Sequence, residues 1–397
     1  MKPSTSELTR RKFMSAAIVG LGAALILAAC AGATGPAGPS GAPGAVGPPG
    51  SAGEAGPPGQ SAVILPGPGL QVKITGVEFP SDGKPVVSLT ITDDAGTPLK
   101  REVLEGARFF IAQIVVDKAT GATKYQNLLV HEVQGKPYIL DGETKQPALA
   151  KATQPFADNG GAWASADIGY TYTFTNTLTS EVDPALTTAV GVSAWKDSRA
   201  TVANDVYTFV PSGGAPTVTR EVVTTAACQT CHNPLMAHGG TRRDTRLCVL
   251  CHTDQNTDVS SGNSVEFKVM IHRIHSGSQL PSVAAGTTYY IGTSDFSKGT
   301  WPQDTRNCTT CHSGGPQSDN YKTAPNAAAC TSCHDNVNLV TGDNHPGGRQ
   351  SSDTACSACH VPDGAEFDAS VTGAHVIPIN STNIKGVKLE IVSVEGA

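Results

Sequence analysis

The sequence predicts an all-β sandwich or barrel, then an irregular segment of loops and short helices, then the start of a further β-domain. Three observations carry this. Between residues 63 and 217, apolar residues alternate with hydroxyl and charged ones. From about residue 218 to 380 that alternation stops, and the segment holds every cysteine but Cys30 and every histidine but His131. The last stretch, 381–397, then returns to alternation.

The β-region is clearest at YTYTF, 170–174, where aromatic and threonine residues take opposite faces of an extended chain. Comparable strands are expected over 72–77, 86–92, 109–116, 190–195 and 206–210. The turn sequences Ser81-Asp82-Gly83 and Asp93-Asp94-Ala95-Gly96 separate some of them. No helical period longer than two turns interrupts the region, so an antiparallel sandwich or small barrel fits. At the far end, LEIVSVE (389–395) echoes VKITGVE (72–78). A lone strand is not stable by itself, so this stretch is expected to open a second β-domain.

The first 62 residues predict export and anchorage. Arg10, Arg11 and Lys12 precede an apolar run over 13–29 that ends Leu27-Ala28-Ala29-Cys30. This resembles a lipoprotein signal peptide (1–29) cleaved before a lipidated Cys30; an uncleaved membrane anchor is the alternative. The run around Arg10-Arg11 also resembles a twin-arginine export signal. From Gly32 to Gly59 glycine occupies every third position among abundant prolines. That is the pattern of a collagen triple helix, and a single polyproline-like tether satisfies it equally. Residues 30–62 are therefore expected to be a stalk reaching about 90 Å if extended.

Composition narrows the function. Only 16% of residues are charged and the formal net charge is -6. Removing Lys2, Arg10, Arg11 and Lys12 with the leader, against Glu7 alone, makes the remainder more anionic. A nucleic-acid partner is not expected, and attachment to a membrane would run through the lipid rather than through basic charge.

The chemistry lies in five Cys-x-x-Cys-His motifs: Cys228/Cys231/His232, Cys248/Cys251/His252, Cys308/Cys311/His312, Cys330/Cys333/His334 and Cys356/Cys359/His360. Zinc knuckles use paired Cys-x-x-Cys but do not require histidine directly after the second cysteine. A thioredoxin-type site needs one reactive pair in a βαβ setting, not five in a strand-poor segment. Disulfides would leave the invariable histidine unexplained. Covalent haem c accounts for every element: two thiols for the vinyl groups and an adjoining histidine as proximal iron ligand. Five haem c groups are expected, with His232, His252, His312, His334 and His360 proximal.

The same segment holds five further histidines, His238, His272, His275, His345 and His375, one for each remaining axial position. Bis-histidine ligation is expected throughout. His272 and His275 lie three apart in MIHRIH, so a helix would send both rings off one side toward two haems. Which distal histidine serves which motif is not fixed by spacing. Arg242, Arg243 and Arg246 are expected either to pair with haem propionates or to be solvated. Met236 and Met270 are expected to fill gaps beside the porphyrins.

CQTCHNPLMAHGGTRRDTRLCVLCHT (228–253), FKVMIHRIHSG (267–277) and GYTYTFTNTL (169–178) together resemble the OmcA/MtrC family of outer-membrane decahaem cytochromes. The resemblance covers roughly residues 65–397. It implies a β-domain ahead of a five-haem domain, a crossed or branched row of bis-histidine haems, and lipid anchorage on the outward face of the outer membrane. It also implies delivery of electrons to extracellular acceptors such as metal oxides, flavins or electrodes, or to other multihaem cytochromes. Five motifs in place of ten, and the stalk, set this chain apart, which bears on whether it joins a porin–cytochrome complex. The expected function is electron conduction rather than substrate-specific catalysis. A multihaem reductase with one open haem, and a mainly structural collagen-like surface protein, are the competing readings.

Overall fold

A computed structural model describes residues 67–178, 182–386 and 390–395. The leader, Cys30 and the stalk lie outside the described residues. Twelve strands fill the first region: β1 Gln71–Glu78, β2 Val86–Thr92, β3 Gly106–Val116, β4 Thr123–Asn127, β5 Val130–Gln134, β6 Tyr138–Leu140, β7 Glu143–Lys145, β8 Lys151–Pro155, β9 Ala162–Ser165, β10 Tyr170–Thr173, β11 Thr188–Lys196 and β12 Thr201–Phe209. Two four-stranded antiparallel sheets, ordered β1-β2-β10-β9 and β12-β11-β3-β4, share one core. The pairs β5-β8 and β6-β7 stand beside them.

Val87, Leu89 and Ile91 of β2 and Tyr172 of β10 point into that core against Phe109, Ile111, Val190 and Val192 from the second sheet. Phe109 stacks on Tyr172 at 3.9 Å, with Trp163 and Phe174 closing round them. Asp158, itself buried, accepts from the Tyr172 hydroxyl at 2.5 Å, from the amides of Thr175 and Asn176, and from Asn176 Nδ2. These bonds satisfy a buried carboxylate and pin the chain after β10 to the sheet edge. The six strands expected from alternation are β1, β2, β3, β10, β11 and β12. Strands β4 to β9 escape that pattern because each has only three to five residues, and β4, β5, β7 and β8 are also rich in Lys, Glu, Gln and Thr.

β3 and β11 are buried on both faces. One face joins the sandwich core. Phe110, Ala112, Ile114 and Ala189 on the other meet Leu247, Leu250 and Cys251. Those last three belong to the cysteine-rich region, whose helices are α1 Thr225–Gln229, α2 Thr245–Cys251, α3 Phe267–Ser276, α4 Pro281–Ala284, α5 Asn320–Thr323, α6 Ala327–Cys333, α7 Cys356–Cys359 and α8 Val371–Ala374. Gly191 lets α2 come close: a Cβ there would stand 2.4 Å from Leu247 Cδ1 and 2.8 Å from Leu250 Cδ1. Hydrogen bonds rim the contact, from Asn127 Nδ2 to the Leu250 carbonyl (2.6 Å) and from Ser193 Oγ to the Thr241 carbonyl (2.6 Å).

Beyond Cys251 the buried apolar side chains are Val259, Leu280 and Tyr289 alone among the described residues. Among them, too, no helix is long and apolar enough to cross a membrane. At the C-terminal end, residues 390–395 form no strand, and Ile391, Val392 and Val394 stand exposed. Positions 387–389 and 396–397 of the expected terminal strand lie outside the described residues.

Candidate functional site

Each Cys-x-x-Cys-His motif is built by the same local device. A side chain four residues before the first cysteine accepts a backbone amide; in four motifs it caps the helical turn, while Asp304 closes a turn ahead of the short helix at Cys308, which has no side-chain cap. The five are Thr224 (from Ala227 N, 3.1 Å), Asp244 (from Arg246 N, 2.9 Å), Asp304 (from Arg306 N, 2.9 Å), Asn326 (from Ala329 N, 3.0 Å) and Ser352 (from Thr354 N, 3.2 Å). These are the residue types that cap helices well. The turn ends with the histidine amide donating to the carbonyl of the first cysteine, at 2.9–3.0 Å in all five motifs: His232 to Cys228, His252 to Cys248, His312 to Cys308, His334 to Cys330 and His360 to Cys356. One helical turn thus presents two thiols and an imidazole together. The capping position was visible in the sequence, as Thr, Asp, Asn or Ser four before every motif, and inspection of the Cys-x-x-Cys-His triples alone misses it.

Every motif histidine faces one further histidine. His232 stands 6.0 Å from His275 between ring centres, His252 5.8 Å from His238, His312 6.2 Å from His272, His334 6.1 Å from His375 and His360 6.3 Å from His345. These pairs define sites I to V in motif order. A metal–nitrogen bond of about 2.0 Å on each side of one metal, plus the depth of each ring, separates two imidazole centres by roughly 6 Å. The five spacings fit an iron between each pair. The ten sequence-selected histidines are all used once. Their pairing is nonsequential: α3 sends His272 to site III and His275 to site I.

The ring nitrogens are oriented for ligation. Nδ1 of His252, His275, His345, His360 and His375 lies 2.7–2.9 Å from the carbonyls of Val265, Ile271, Gly348, Ala369 and Val371. A carbonyl only accepts, so Nδ1 carries the proton and Nε2 keeps its lone pair. His272 Nδ1 meets Ser332 Oγ at 3.1 Å, and that hydroxyl donates onward to the Ala329 carbonyl. Burial pushes His238 and His272 down to about 4 and also lowers His252, His275, His312 and His334, so these rings stay neutral at pH 7. His238 sits at φ 50°, followed by Gly239 at 70° and Gly240 at 82°; only glycine follows such a turn without strain, which explains His-Gly-Gly.

The thiols suit covalent attachment better than redox exchange. All ten are free. Burial pushes Cys228 and Cys308 up to about 11, and Cys248 and Cys251 up to about 12. A dithiol oxidoreductase needs the opposite shift.

The motif pattern treats the ten cysteines as equivalent, and the structure corrects that. Cys251 is buried, whereas Cys231, Cys330 and Cys359 are exposed. Cys231 departs furthest from its own partner motif at site II, because α1 buries Ala227 alone and the chain stays exposed from Cys231 to Pro234. The Thr230 hydroxyl lies 3.8 Å from Cys231 Sγ, and after burial the Cys231 thiol adds to the upward shift of Cys311. Cys231 thus keeps its place in the first motif, but in an open setting that its sequence did not indicate.

Of the three arginines, Arg246 pairs with Asp244 (2.6 Å) and Arg243 donates to the Gly240 carbonyl (2.9 Å). Arg242 lies over the Phe110 ring, its Nε buried without a partner. Met236 is exposed.

Contacts between motifs order the sites. Thr225 Oγ1 lies 3.0 Å from Thr245 Oγ1 (I and II), Thr224 Oγ1 donates to the Ser313 carbonyl at 3.5 Å (I and III), His272 Nδ1 of site III lies 3.1 Å from Ser332 Oγ in the fourth motif, and the Ala327 amide ahead of that motif donates to Asp353 ahead of the fifth at 2.9 Å. The contacts run II–I–III–IV–V. The α3 helix bridges the middle: besides its two histidines, Ser276 Oγ lies 3.3 Å from Cys333 Sγ of site IV.

A family model described as "Outer membrane cytochrome MtrC/MtrF-like, domains II/IV" matches residues 220–375. The multiheme cytochrome MtrC of Shewanella baltica (strain OS185) is 28% identical over 298 residues, covering 71% of this chain and 39% of that protein. Among solved structures, the outer membrane decaheme cytochrome OmcA superposes with a TM-score of 0.60 at 25% identity, over 77% of this chain and 48% of OmcA. MtrC from Shewanella baltica OS185 superposes at 0.52 and 25% identity, over 73% and 43%. This chain therefore spans less than half the length of the relatives it matches. The sandwich, the capped motifs and these likenesses agree: residues 220–375 match the MtrC/MtrF-like domain model, and the chain is similar to the outer-membrane multihaem cytochromes OmcA and MtrC.

Proposed function

We infer that the chain is an electron conduit of five bis-histidine haem c groups, in the order II–I–III–IV–V. It would be held at the outer membrane through Cys30 and the 30–62 stalk, and would deliver electrons to extracellular acceptors or partner cytochromes. The observation that carries this reading is the set of five histidine pairs with ring centres 5.8–6.3 Å apart. When bound, haem c supplies a one-electron ferric–ferrous couple at each site. The polypeptide does the rest. Cysteines would fix each group's position, carbonyls hold five of the imidazoles in one tautomer, and two histidines per site would hold the iron. With both positions filled, acceptors would exchange electrons through the porphyrin edge and not bind at iron, which favours conduction over reductase chemistry at a haem.

The test is the mass and the electron paramagnetic resonance spectrum of the mature holoprotein. Five haem masses, one lipidated Cys30 and only low-spin ferric signals are expected. His275→Ala should convert one site, site I, to high spin, and His272→Ala a different one, site III. Fewer than five haems, or both substitutions altering the same signal, would refute the assignment.

A further inference from the structure

Site II differs from the other four in what surrounds it. Cys251 is the one fully buried cysteine among the motifs, and α2 around it is pressed onto the outer face of β3 and β11 through Leu247 and Leu250. Beside it stands a guanidinium. Arg242 lies 4.8 Å from the centre of the Phe110 ring, its Nε is buried without a hydrogen-bond partner, and it makes no ion pair among the described residues. Phe110 packs with Leu247, Leu250 and Cys251, and the Arg242 backbone pairs with Ala237, the residue before His238, so the guanidinium stands at this site. Arg108, which stacks over Trp195 at 5.4 Å, bears on it with a charge of the same sign. Arg199 lies over the same indole at 5.7 Å and against Gly239. The second buried, unpartnered guanidinium nitrogen, in Arg273, lies instead over Tyr289.

The opposite end of the row has the opposite character. Cys359 of site V is exposed, as are Val361 and Phe367 nearby. A cavity of about 350 Å³ beside Cys356 is walled by Asp117, whose carboxylate accepts from the amides of Ala119 and Thr120. Site II therefore combines burial with a nearby cation, and site V combines exposure with a carboxylate.

We propose that the row is electrically graded, and that Arg242, with the β-sandwich wall behind it, makes site II the highest-potential end. This rests on the haem reading above. When haem is bound, taking up one electron would remove one unit of positive charge at its iron. A nearby cation, and a low dielectric around that charge, would both disfavour the oxidised form and so raise the potential. An electron entering anywhere in the row settles at site II, against the sandwich.

The experiment is a dithionite titration of the holoprotein, followed by the loss of each low-spin ferric signal. The site II signal is the one that His238→Ala converts to high spin. In the wild type that signal should vanish first. Arg242→Gln should disfavour its reduction about tenfold, which is 59 mV for a one-electron couple, and leave the other four unmoved; Arg242→Lys should restore it. Arg108→Gln, outside the contact with α2, should move the same signal the same way by less. If another signal is lost first, or Arg242→Gln and Arg108→Gln both leave site II unmoved in protein that carries five haems, the gradient is refuted and the conduit stands. Protein lacking haem on Cys248 and Cys251 refutes both.

Discussion

The sandwich and the cysteine-rich region solve the same problem, filling an interior, by different means. The sandwich uses side chains alone: Phe109, Tyr172, Phe174, Ile74, Leu89 and Ile111 are almost wholly buried and interlock between two sheets. The other region, past Cys251, has three buried apolar residues, and the groups it turns inward are imidazoles, thiols and hydroxyls. Its helices are one to three turns long, below the length at which a helix holds in water unaided. A region of that size with so little apolar burial does not outweigh its conformational entropy. The first region is folded by its side chains alone, and on the proposed reading the second is completed by five covalently held apolar discs.

Removing the discs should break the comparison most completely. Chain produced without haem attachment, or with all ten motif cysteines replaced by serine, should lose protection across residues 252–380. Hydrogen exchange should still show slow amides in β1, β2, β3, β10, β11 and β12. Equal loss in both regions would mean that the sandwich too depends on haem.

A second substitution probes the seam. Gly191→Val should drive a side chain into Leu247 and Leu250 and cost about 1–3 kcal/mol by overpacking, seen as a lower melting temperature. Because α2 is displaced, the site II signal should broaden or shift while site V stays unchanged. A uniform shift at all five sites would show that the seam does not act locally.

The smallest effect is expected at the seam's rim. Lys124 Nζ and Asp254 Oδ2 form an ion pair there at 2.5 Å, both partly exposed. Solvent screens such pairs, so Asp254→Asn should change stability by no more than about 0.5 kcal/mol. A larger loss would place part of the docking energy in charge rather than in Leu247 and Leu250.

Much of this molecule was legible as pattern. Period-two alternation located β1, β2, β3, β10, β11 and β12, and Cys-x-x-Cys-His located the five motifs. The i, i+3 spacing of His272 and His275 indicated two sites for one helix. What pattern did not yield has a common cause, in that it depends on which surfaces meet. Nothing local in TAVGVSAWK says that β11 is buried on both faces; that follows from α2 lying across it. The same contact encloses Cys251 and leaves Cys231, its counterpart in the first motif, exposed. Nor does spacing say that His238, fourteen residues before His252, faces that histidine and not His232, its nearer neighbour in the chain.

The sequence by itself determined the chemistry, because haem attachment and the capped turn beneath it are short-range: a cap, two thiols and a histidine within one helical turn. Tertiary structure alone decided the pairing, the order II–I–III–IV–V and the unequal surroundings of the two ends. Those depend on contacts between residues far apart in the chain, such as His272 with His312 or Gly191 with Leu247, and such contacts exist only once the sandwich gives α2 a wall to pack against.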